Sequence, residues 1–362
     1  MAAERSDGVE AEVNAQQRNV HVAIVGATGA VGKAMLETLE RRRFPCASLK
    51  LLASARSAGR KVTFAGRAYT VEEAAPDAFA GVDVALFSAG AGVSRELAPE
   101  AAARGALVID NTSAYRMHED VPLVVPEVNP EAIRDHRGII ANPNCSTIQM
   151  VVALNPIHRR YGIRRIVVAT YQAASGAGER AVAELRATAA AYLAGEPLRP
   201  EVLPVSGLPR HYPLAFNVLP QIDVFEDNGY TREEMKMVRE THKILGDSRI
   251  AVTPTAVRVP VFYGHSEAVY VETERPFELA DVRALLEKAP GVAVEDDPER
   301  QLYPQPLAAE GRFEVFVGRL RRDLYAENGL SMWVVSDNIL KGAAWNAVQI
   351  AEEWLRGEGG RP

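Results

Sequence analysis

The feature that most constrains the fold is a glycine-rich turn near the start of the chain. An apolar run beginning at Val20 leads into the turn GATGAVG, after which apolar residues recur at four-residue steps. Gly26, Gly29 and Gly32 lie in this turn, where small residues let a phosphate approach backbone amides at the positive end of a helix. The pattern predicts a nucleotide-binding βαβ unit. A merely tight structural turn is the alternative.

The segment after the second predicted strand indicates which nucleotide binds. Ser54, Arg56 and Ser57 stand where an NAD-binding protein usually has a carboxylate that holds the ribose. We therefore expect NADP, with a solvated basic loop as the alternative. The predicted cofactor-binding residues of this half of the chain are Gly26, Thr28, Gly29, Ala30, Val31, Gly32, Ser54, Arg56, Ser57 and Ser88.

Strands and helices alternate through the first part of the chain. Short apolar strands are predicted at 49–53, 82–88, 107–110 and 138–141, with Ala-rich helical stretches such as 94–104 between them. This alternation predicts an α/β fold with a Rossmann-like, doubly wound parallel sheet.

The pattern changes after Asn144. Helices are predicted at 146–160, with a kink near Pro156, and at 231–245. A strand is predicted at 165–171, and two-residue periodicity predicts further strands at 250–259, 266–271, 312–319 and 330–335. This half is expected to be an α+β domain with a mixed or antiparallel sheet.

Composition argues against several classes of function. Lys plus Arg number 41 against 47 Asp plus Glu, so the net charge of −6 gives no overall positive field for nucleic acid or anionic lipid. No apolar run approaches the ~20 residues of a membrane span, and residues 1–18 are too polar for a signal peptide. We expect a disordered tail over 1–18 on a cytoplasmic protein. Two cysteines are too few for a cysteine-built metal site, and no metal is expected.

Cys145 is the candidate nucleophile. It lies in NPNCST, between an apolar strand and a helix, where the helix dipole is expected to stabilise a thiolate and lower its pKa. Cys46 is expected to be an ordinary half-buried residue. Nucleophilic chemistry also needs a nearby histidine. His265, after a glycine turn between two strands, is a better candidate than His118 or His136, which lie in polar loops.

A set of short motifs, spread from about Val20 to the last helix, resembles aspartate-semialdehyde dehydrogenase. Each motif alone is modest, but the set is specific. The motifs are GATGAVG, NTSAYRM, VVPEVN, NPNCST, YQAASGAG, EEMK, VRVPVFYGHSE and SDNILKGAAWNA.

The resemblance implies a role for each site residue. Cys145 would attack the acyl carbon and form an acyl-thioester, Gln172 would orient the acyl group, and His265 would be the acid/base. Arg258 would hold the substrate α-carboxylate through a two-pronged contact. The residues implied to bind substrate or phosphate are Arg116, Asn144, Glu233, Lys236 and Arg258, and those beside the nicotinamide are Ser175, Gly176 and Asn338.

Without the resemblance, several of these residues have plainer interpretations. Glu233 and Lys236 are three residues apart, so they could form an exposed helical ion pair. Arg258 could be a surface ion-pair partner. Gln172 could be a strand-end amide in a turn.

The reaction implied is the NADPH-dependent reduction of L-aspartyl 4-phosphate to L-aspartate 4-semialdehyde with release of phosphate, on the route to lysine, threonine and methionine. The alternatives are a related acyl-phosphate reductase, such as N-acetylglutamyl-phosphate reductase, and a non-catalytic NADP-sensing protein. The resemblance also implies a homodimer or a tetramer of dimers. We expect an NADP-binding domain over 19–144, a catalytic and dimerisation domain over 145–338, and a final helix over 339–362 that packs back on the first domain.

Overall fold

The computed structural model describes residues 19–358. The expected disordered tail, 1–18, lies outside these residues. The described chain contains two sheets with helices packed around and between them.

The first sheet is built around the glycine-rich turn. Its strands are β1 (Val20–Val25), β2 (Cys46–Ala53), β3 (Lys61–Phe64), β4 (Arg67–Glu73), β5 (Val84–Phe87), β6 (Leu107–Asp110) and β7 (Ile139–Ala141). They lie in the order β3-β4-β2-β1-β5-β6-β7, and all neighbours are parallel except the β3–β4 hairpin. Counted without β3, this is the 3-2-1-4-5-6 strand order of a Rossmann fold. The predicted doubly wound sheet is confirmed.

The second sheet is mixed. Its strands are β8 (Ile163–Gln172), β9 (Ala251–Arg258), β10 (His265–Thr273), β11 (Val292–Val294), β12 (Val315–Arg322) and β13 (Gly329–Ser336). They lie in the order β11-β12-β13-β10-β8-β9, with β8–β9 and β11–β12 parallel and the other neighbours antiparallel. The predicted α+β half with a mixed sheet is confirmed.

One helix joins the two halves of the structure. The helices are α1 (Ala30–Arg41), α2 (Ala91–Ala103), α3 (Cys145–Tyr161), α4 (Glu179–Leu193), α5 (Arg232–Leu245), α6 (Leu279–Glu287), α7 (Pro306–Ala309) and α8 (Trp345–Glu358). Helix α3 is buried along most of its length, runs through Pro156 and contacts strands of the second sheet. It starts at Cys145 because the Asn144 side chain accepts hydrogen bonds from the next backbone N–H groups, of Ser146 and Thr147.

The last described segment returns to the first sheet. A π-helical turn, Leu340–Ala344, leads into α8, and this segment packs against α1. Trp345 and Val348 share a buried apolar cluster with Val22 of β1. The π-helical turn also contacts α3, so it lies directly beside the start of the helix that carries Cys145.

Candidate active site

A cavity of about 790 Å³ lies between the glycine-rich turn, α3 and α5. It extends from the N-terminus of α1 to Lys236 on α5, and Cys145 lies in its wall. The predicted site residues that line it are Gly29, Ala30, Val31, Ser88, Arg116, Asn144, Cys145, Gln172, Ser175, Gly176, Glu233, Lys236, Arg258 and Asn338. Segments far apart in the chain therefore converge on one space.

The other predicted residues lie outside the wall. The serines and the arginine that follow β2 lie in or beside a short 3₁₀ turn, Ala55–Ser57, and Arg56 is exposed. His265 is fully buried behind Gly176. The complete set outside the wall is Gly26, Thr28, Gly32, Ser54, Arg56, Ser57 and His265.

The glycine-rich turn requires glycine at particular positions. Gly26 has φ +90°, a conformation that side chains disfavour, and a Cβ there would lie 2.9 Å from Ser88. A Cβ on Gly32 would lie 2.2 Å from the Gly26 carbonyl oxygen. Gly29 caps α1 without a side chain, so no side chain competes for the first N–H groups of the helix. This arrangement fits a dinucleotide pyrophosphate.

The pKa of Cys145 is raised, so the expected lowering is wrong. Burial, followed by the negative charge of Glu233, raises the pKa of Cys145 to about 12. The nearby Arg116 and Arg258 guanidinium groups oppose this rise, as does a backbone N–H at the start of α3. Desolvation outweighs the favourable charges because the thiolate would lose its water. The resting group is therefore a thiol.

His265 is held as a neutral imidazole. Its Nδ1 accepts a hydrogen bond of 3.1 Å from the Ala173 N–H. Burial, followed by the charge of Arg258, lowers the pKa of His265 to about 3. A neutral ring that accepts at Nδ1 carries its proton on Nε2. That nitrogen is buried behind Gly176 without a hydrogen-bond partner, so its N–H is a donor that the protein leaves unused.

Glu233 is the centre of a buried polar cluster. Its carboxylate accepts hydrogen bonds from Asn144 Nδ2 at 2.9 Å, Gln172 Nε2 at 3.1 Å and Lys236 Nζ at 3.0 Å. Burial opposes its charge, but Lys236 and the two amides lower the pKa of Glu233 to about 2. Lys236 also contacts Asp223 at 3.1 Å. The exposed ion pair is therefore the wrong interpretation, because Glu233 is buried and ionised within the cavity wall.

Two arginines carry donors that the protein leaves unused. Arg258 is 4% exposed and donates from Nη1 to the Ala173 carbonyl at 2.8 Å, so it is not a surface residue. Arg116 donates from Nη1 to Glu240 at 3.1 Å and from Nη2 to the Asn111 carbonyl at 3.0 Å. The Nε atoms of both arginines are buried without partners. Buried cationic donors of this kind suit an anionic ligand.

The cofactor side of the cavity has its own polar contact. Ser175 and Asn338 hydrogen-bond through their side chains, and Asn338 Oδ1 also accepts from the Gly264 N–H at 2.9 Å. Gly176, on the same side of the cavity, packs directly against Arg258 and His265. A Cβ at position 176 would lie 2.8 Å from Arg258 Nη1 and 3.2 Å from His265 Cε1, so a side chain there would displace these two residues.

Glu240 and Gly342 are among the residues at the site that sequence reasoning missed. Glu240 contacts both Arg116 and the backbone of Asn144, and the seven-residue spacing from Glu233 could have placed it on the same helix face. Gly342 lies against the nucleophile, and a Cβ there would be 2.7 Å from the Cβ of Cys145. Nothing in the local sequence around Gly342 signals that contact.

We expect Gly342→Ala to lower kcat by about 10²-fold, because the new methyl group would displace Cys145 and small misplacements of a reacting group are costly. NADP affinity should change little. Steady-state kinetics and cofactor titration measure the two effects. Gly357→Ala, at a helical glycine whose Cβ would meet nothing within 4 Å, is the matched control. Equal kcat values for the two variants would contradict this account of the contact.

Two absences apply to residues 19–358. Within this range, no group of three or more His, Cys, Asp and Glu side chains is placed to hold a metal ion. None of the helices in the same range combines the length and apolar character needed to cross a bilayer.

Two known protein families match different parts of the chain. The family described as semialdehyde dehydrogenase, NAD binding domain, matches residues 21–136. The family described as semialdehyde dehydrogenase, dimerisation domain, matches residues 154–341.

Individual relatives match over nearly their whole length. Aspartate-semialdehyde dehydrogenase of Bacillus subtilis is 59% identical over 336 residues, covering 92% of this chain and 97% of the relative. The Aquifex aeolicus enzyme of the same name is 56% identical over 334 residues, which is 91% of this chain and 96% of the relative.

Solved structures agree with the sequence matches. Aspartate semialdehyde dehydrogenase II from Vibrio cholerae, complexed with ASA, superposes with a TM-score of 0.90 at 50% identity, covering 94% of this chain and 99% of that one. The Candida albicans enzyme, solved with NADP, has a TM-score of 0.72 at 27% identity, covering 93% and 98%. At these identities and coverages, the chain belongs to the aspartate-semialdehyde dehydrogenase family.

Proposed function

We propose that this protein uses NADPH to reduce L-aspartyl 4-phosphate to L-aspartate 4-semialdehyde through a thioester on Cys145, releasing phosphate. The observation that carries the proposal is one cavity lined by a thiol at a helix N-terminus and two buried arginines with unused donors, with a neutral histidine buried behind Gly176 of its wall. A thiol and two separate anion sites are what a substrate with a carboxylate at one end and an acyl phosphate at the other requires.

The two arginines would hold the two ends of the substrate. Arg258 would bind the α-carboxylate, and Arg116 with Lys236 would bind the phosphate. In support, all three line the cavity that contains Cys145. Gln172 and Asn144, both fixed by Glu233, would orient the acyl group. The fixed carboxylate keeps both amides in place without a rearrangement when substrate binds.

In the first step, the proton that the Cys145 thiol loses is balanced by the proton that the phosphate takes up. When the sulfur of Cys145 bonds to the acyl carbon, the bond from that carbon to the phosphate oxygen breaks, and the departing phosphate takes up one proton. The released phosphate therefore balances the proton that the resting thiol loses. Arg116 and Arg258 would stabilise the sulfur anion as it forms, since both lower the pKa of Cys145.

His265 would act as a proton donor in the second step. Its Nε2–H is buried and unpartnered, and Ala173 fixes the tautomer through Nδ1. As the carbon–sulfur bond breaks, this N–H can give its proton to the sulfur and restore the thiol, and Nε2 then regains a proton from water, so that the imidazole ends neutral. NADPH supplies the hydride for this step when it is bound.

NADP would lie along the wall between the glycine-rich turn and Asn338. The α1 N-terminus would receive the pyrophosphate, and Ser175, Gly176 and Asn338 would lie beside the nicotinamide. Arg56, exposed after β2, would face the extra phosphate of NADP. The Candida albicans relative solved with NADP supports this cofactor.

Arg56→Ala is expected to weaken NADP binding by about tenfold and NAD binding much less, because one charge-assisted contact to the extra phosphate is lost. Calorimetric titration with both cofactors measures the difference. Arg60→Ala removes an exposed cation from the same loop and serves as the control. Equal losses for NADP and NAD, or equal effects of the two variants, would favour a solvated basic loop.

The second domain would supply the interface of a homodimer or of a tetramer made of dimers. The family match over residues 154–341 carries the description of a dimerisation domain. A hollow in this domain is lined by Tyr303, Met332 and Trp333, together with Arg319 and Arg321. Light scattering on the purified protein would distinguish monomer, dimer and tetramer.

The proposed site of action is the cytoplasm, where thiols such as Cys145 remain reduced. The deciding assay is a substrate panel. Aspartate semialdehyde and N-acetylglutamate semialdehyde are each incubated with phosphate and with NADP or NAD. The proposal expects phosphate-dependent NADPH formation from aspartate semialdehyde. Formation only from the acetylated substrate would assign the chain to the related reductase, and no formation from either would leave an NADP-sensing protein.

A further inference from the structure

Glu240 joins two parts of the site that are far apart in the chain. It lies on α5, is 1% exposed and uses both carboxylate oxygens. Oε1 accepts from Arg116 Nη1 at 3.1 Å, and Oε2 accepts from the Asn144 backbone N–H at 2.7 Å. Asn144 caps α3 and directly precedes Cys145. One carboxylate therefore fixes a cation of the cavity wall and the turn that carries the thiol.

The same helix fixes the remainder of the Arg116 segment. Lys243, one turn after Glu240, donates from Nζ to the backbone carbonyls of Arg116 at 2.9 Å, His118 at 2.7 Å and Val121 at 2.7 Å. Glu240 orients the Arg116 guanidinium, and Lys243 fixes its backbone. Together Glu240 and Lys243 fix Arg116 in place and leave its Nε atom without a hydrogen-bond partner.

We propose that Glu240 is a positioning residue that orients Arg116 for the phosphate group and, through Asn144, holds Cys145 against the same substrate. The inference rests on the proposed function for the phosphate role of Arg116. The other part of the proposal, that Glu240 places Cys145, does not depend on that function. Because Arg116 and Asn144 both hydrogen-bond to the one buried carboxylate of Glu240, the phosphate site and the nucleophile are mechanically coupled.

A matched control lies on the same helix. Glu234 is also buried and also uses both oxygens, accepting from the Thr231 N–H at 2.6 Å and the Ala256 N–H at 2.9 Å. It completes the capping box at the start of α5 and does not line the cavity. Glu234→Gln therefore removes a comparable buried carboxylate that bears on the fold.

The test compares Glu240→Gln with Glu234→Gln. An amide at 240 can accept only one of the two donors and presents an NH₂ group to the other. We expect Glu240→Gln to raise the KM for phosphate about tenfold, with a smaller change in the KM for aspartate semialdehyde. Glu234→Gln should lower the melting temperature and leave the ratio of the two KM values unchanged. Equal changes in that ratio for both variants would reduce Glu240 to a structural role.

A double variant separates an action through Arg116 from a general effect. In an Arg116→Met background, adding Glu240→Gln keeps the net charge balanced and should give no further rise in the KM for phosphate, because the residue being positioned is already gone. The same tenfold rise in both backgrounds would overturn the proposal.

The placement of Cys145 can be tested without measuring enzyme turnover. Glu240→Gln should speed iodoacetamide alkylation of Cys145 about threefold or more, because the turn before the thiol is loosened and a buried negative charge is removed. Glu234→Gln should leave the rate unchanged. If the wild-type protein shows no phosphate-dependent NADPH formation, the proposed function fails, and the alkylation rate still decides the placement of Cys145. Unchanged alkylation in Glu240→Gln would remove that part of the proposal.

Discussion

Cys145→Ser is expected to lower kcat by about 10⁴-fold or more, because a hydroxyl is far less acidic than a thiol and cannot form the thioester. NADP affinity should be retained, since serine has nearly the size and shape of cysteine and leaves the cofactor-binding residues unchanged. The measurement is phosphate-dependent NADPH formation, together with calorimetric titration of NADP.

The second cysteine provides the control. Cys46 is half-buried at the start of β2 and donates from Sγ to the Ser48 carbonyl, and it does not line the cavity. Cys46→Ser should therefore leave turnover nearly unchanged. Near-normal turnover in Cys145→Ser would rule out covalent chemistry at that position.

His265→Gln is expected to lower kcat by about 10²- to 10⁴-fold, the range usual for a general acid. The rate of Cys145 alkylation should change little, because the neutral imidazole of the resting protein does not hold a thiolate. Stopped-flow kinetics and iodoacetamide labelling measure the two quantities. A parallel collapse of both would indicate a preformed thiolate–imidazolium pair.

The pH dependence of labelling gives a second reading of the same point. With the pKa of Cys145 at about 12, the thiolate fraction and hence the alkylation rate should rise about tenfold per pH unit through the neutral and mildly alkaline range. A plateau near pH 7 would require a lowered pKa. The wild-type and His265→Gln proteins should give the same slope.

The fold was predictable where periodicity is strong. The apolar strand and the glycine-rich turn predict the first βαβ unit, which the structure contains as β1, α1 and β2. The β3–β4 hairpin was missed because its strands are largely exposed and give no continuous apolar run. Strand β2 begins at Cys46, several residues before its predicted start at Leu49.

The residues of the site could be predicted from the sequence, but their burial and their electrostatic surroundings could not. The three-residue spacing of Glu233 and Lys236 correctly places them on one helix face. Spacing cannot tell whether that face is exposed or buried, and here it is buried against Asn144 and Gln172. In the same way, the sequence predicts a helix N-terminus at Cys145 but not the desolvation that reverses the direction of its pKa shift.

The return of α8 to the first sheet has a consequence for synthesis on the ribosome. Trp345 and Val348 complete the apolar cluster around β1, yet they are translated after all of the second sheet. The nascent Rossmann unit must therefore wait, with part of its apolar surface uncovered, until the segment from Leu340 onward has emerged. Premature termination before Leu340 would leave a chain that contains every strand described in residues 19–358 but lacks the segment that packs against α1.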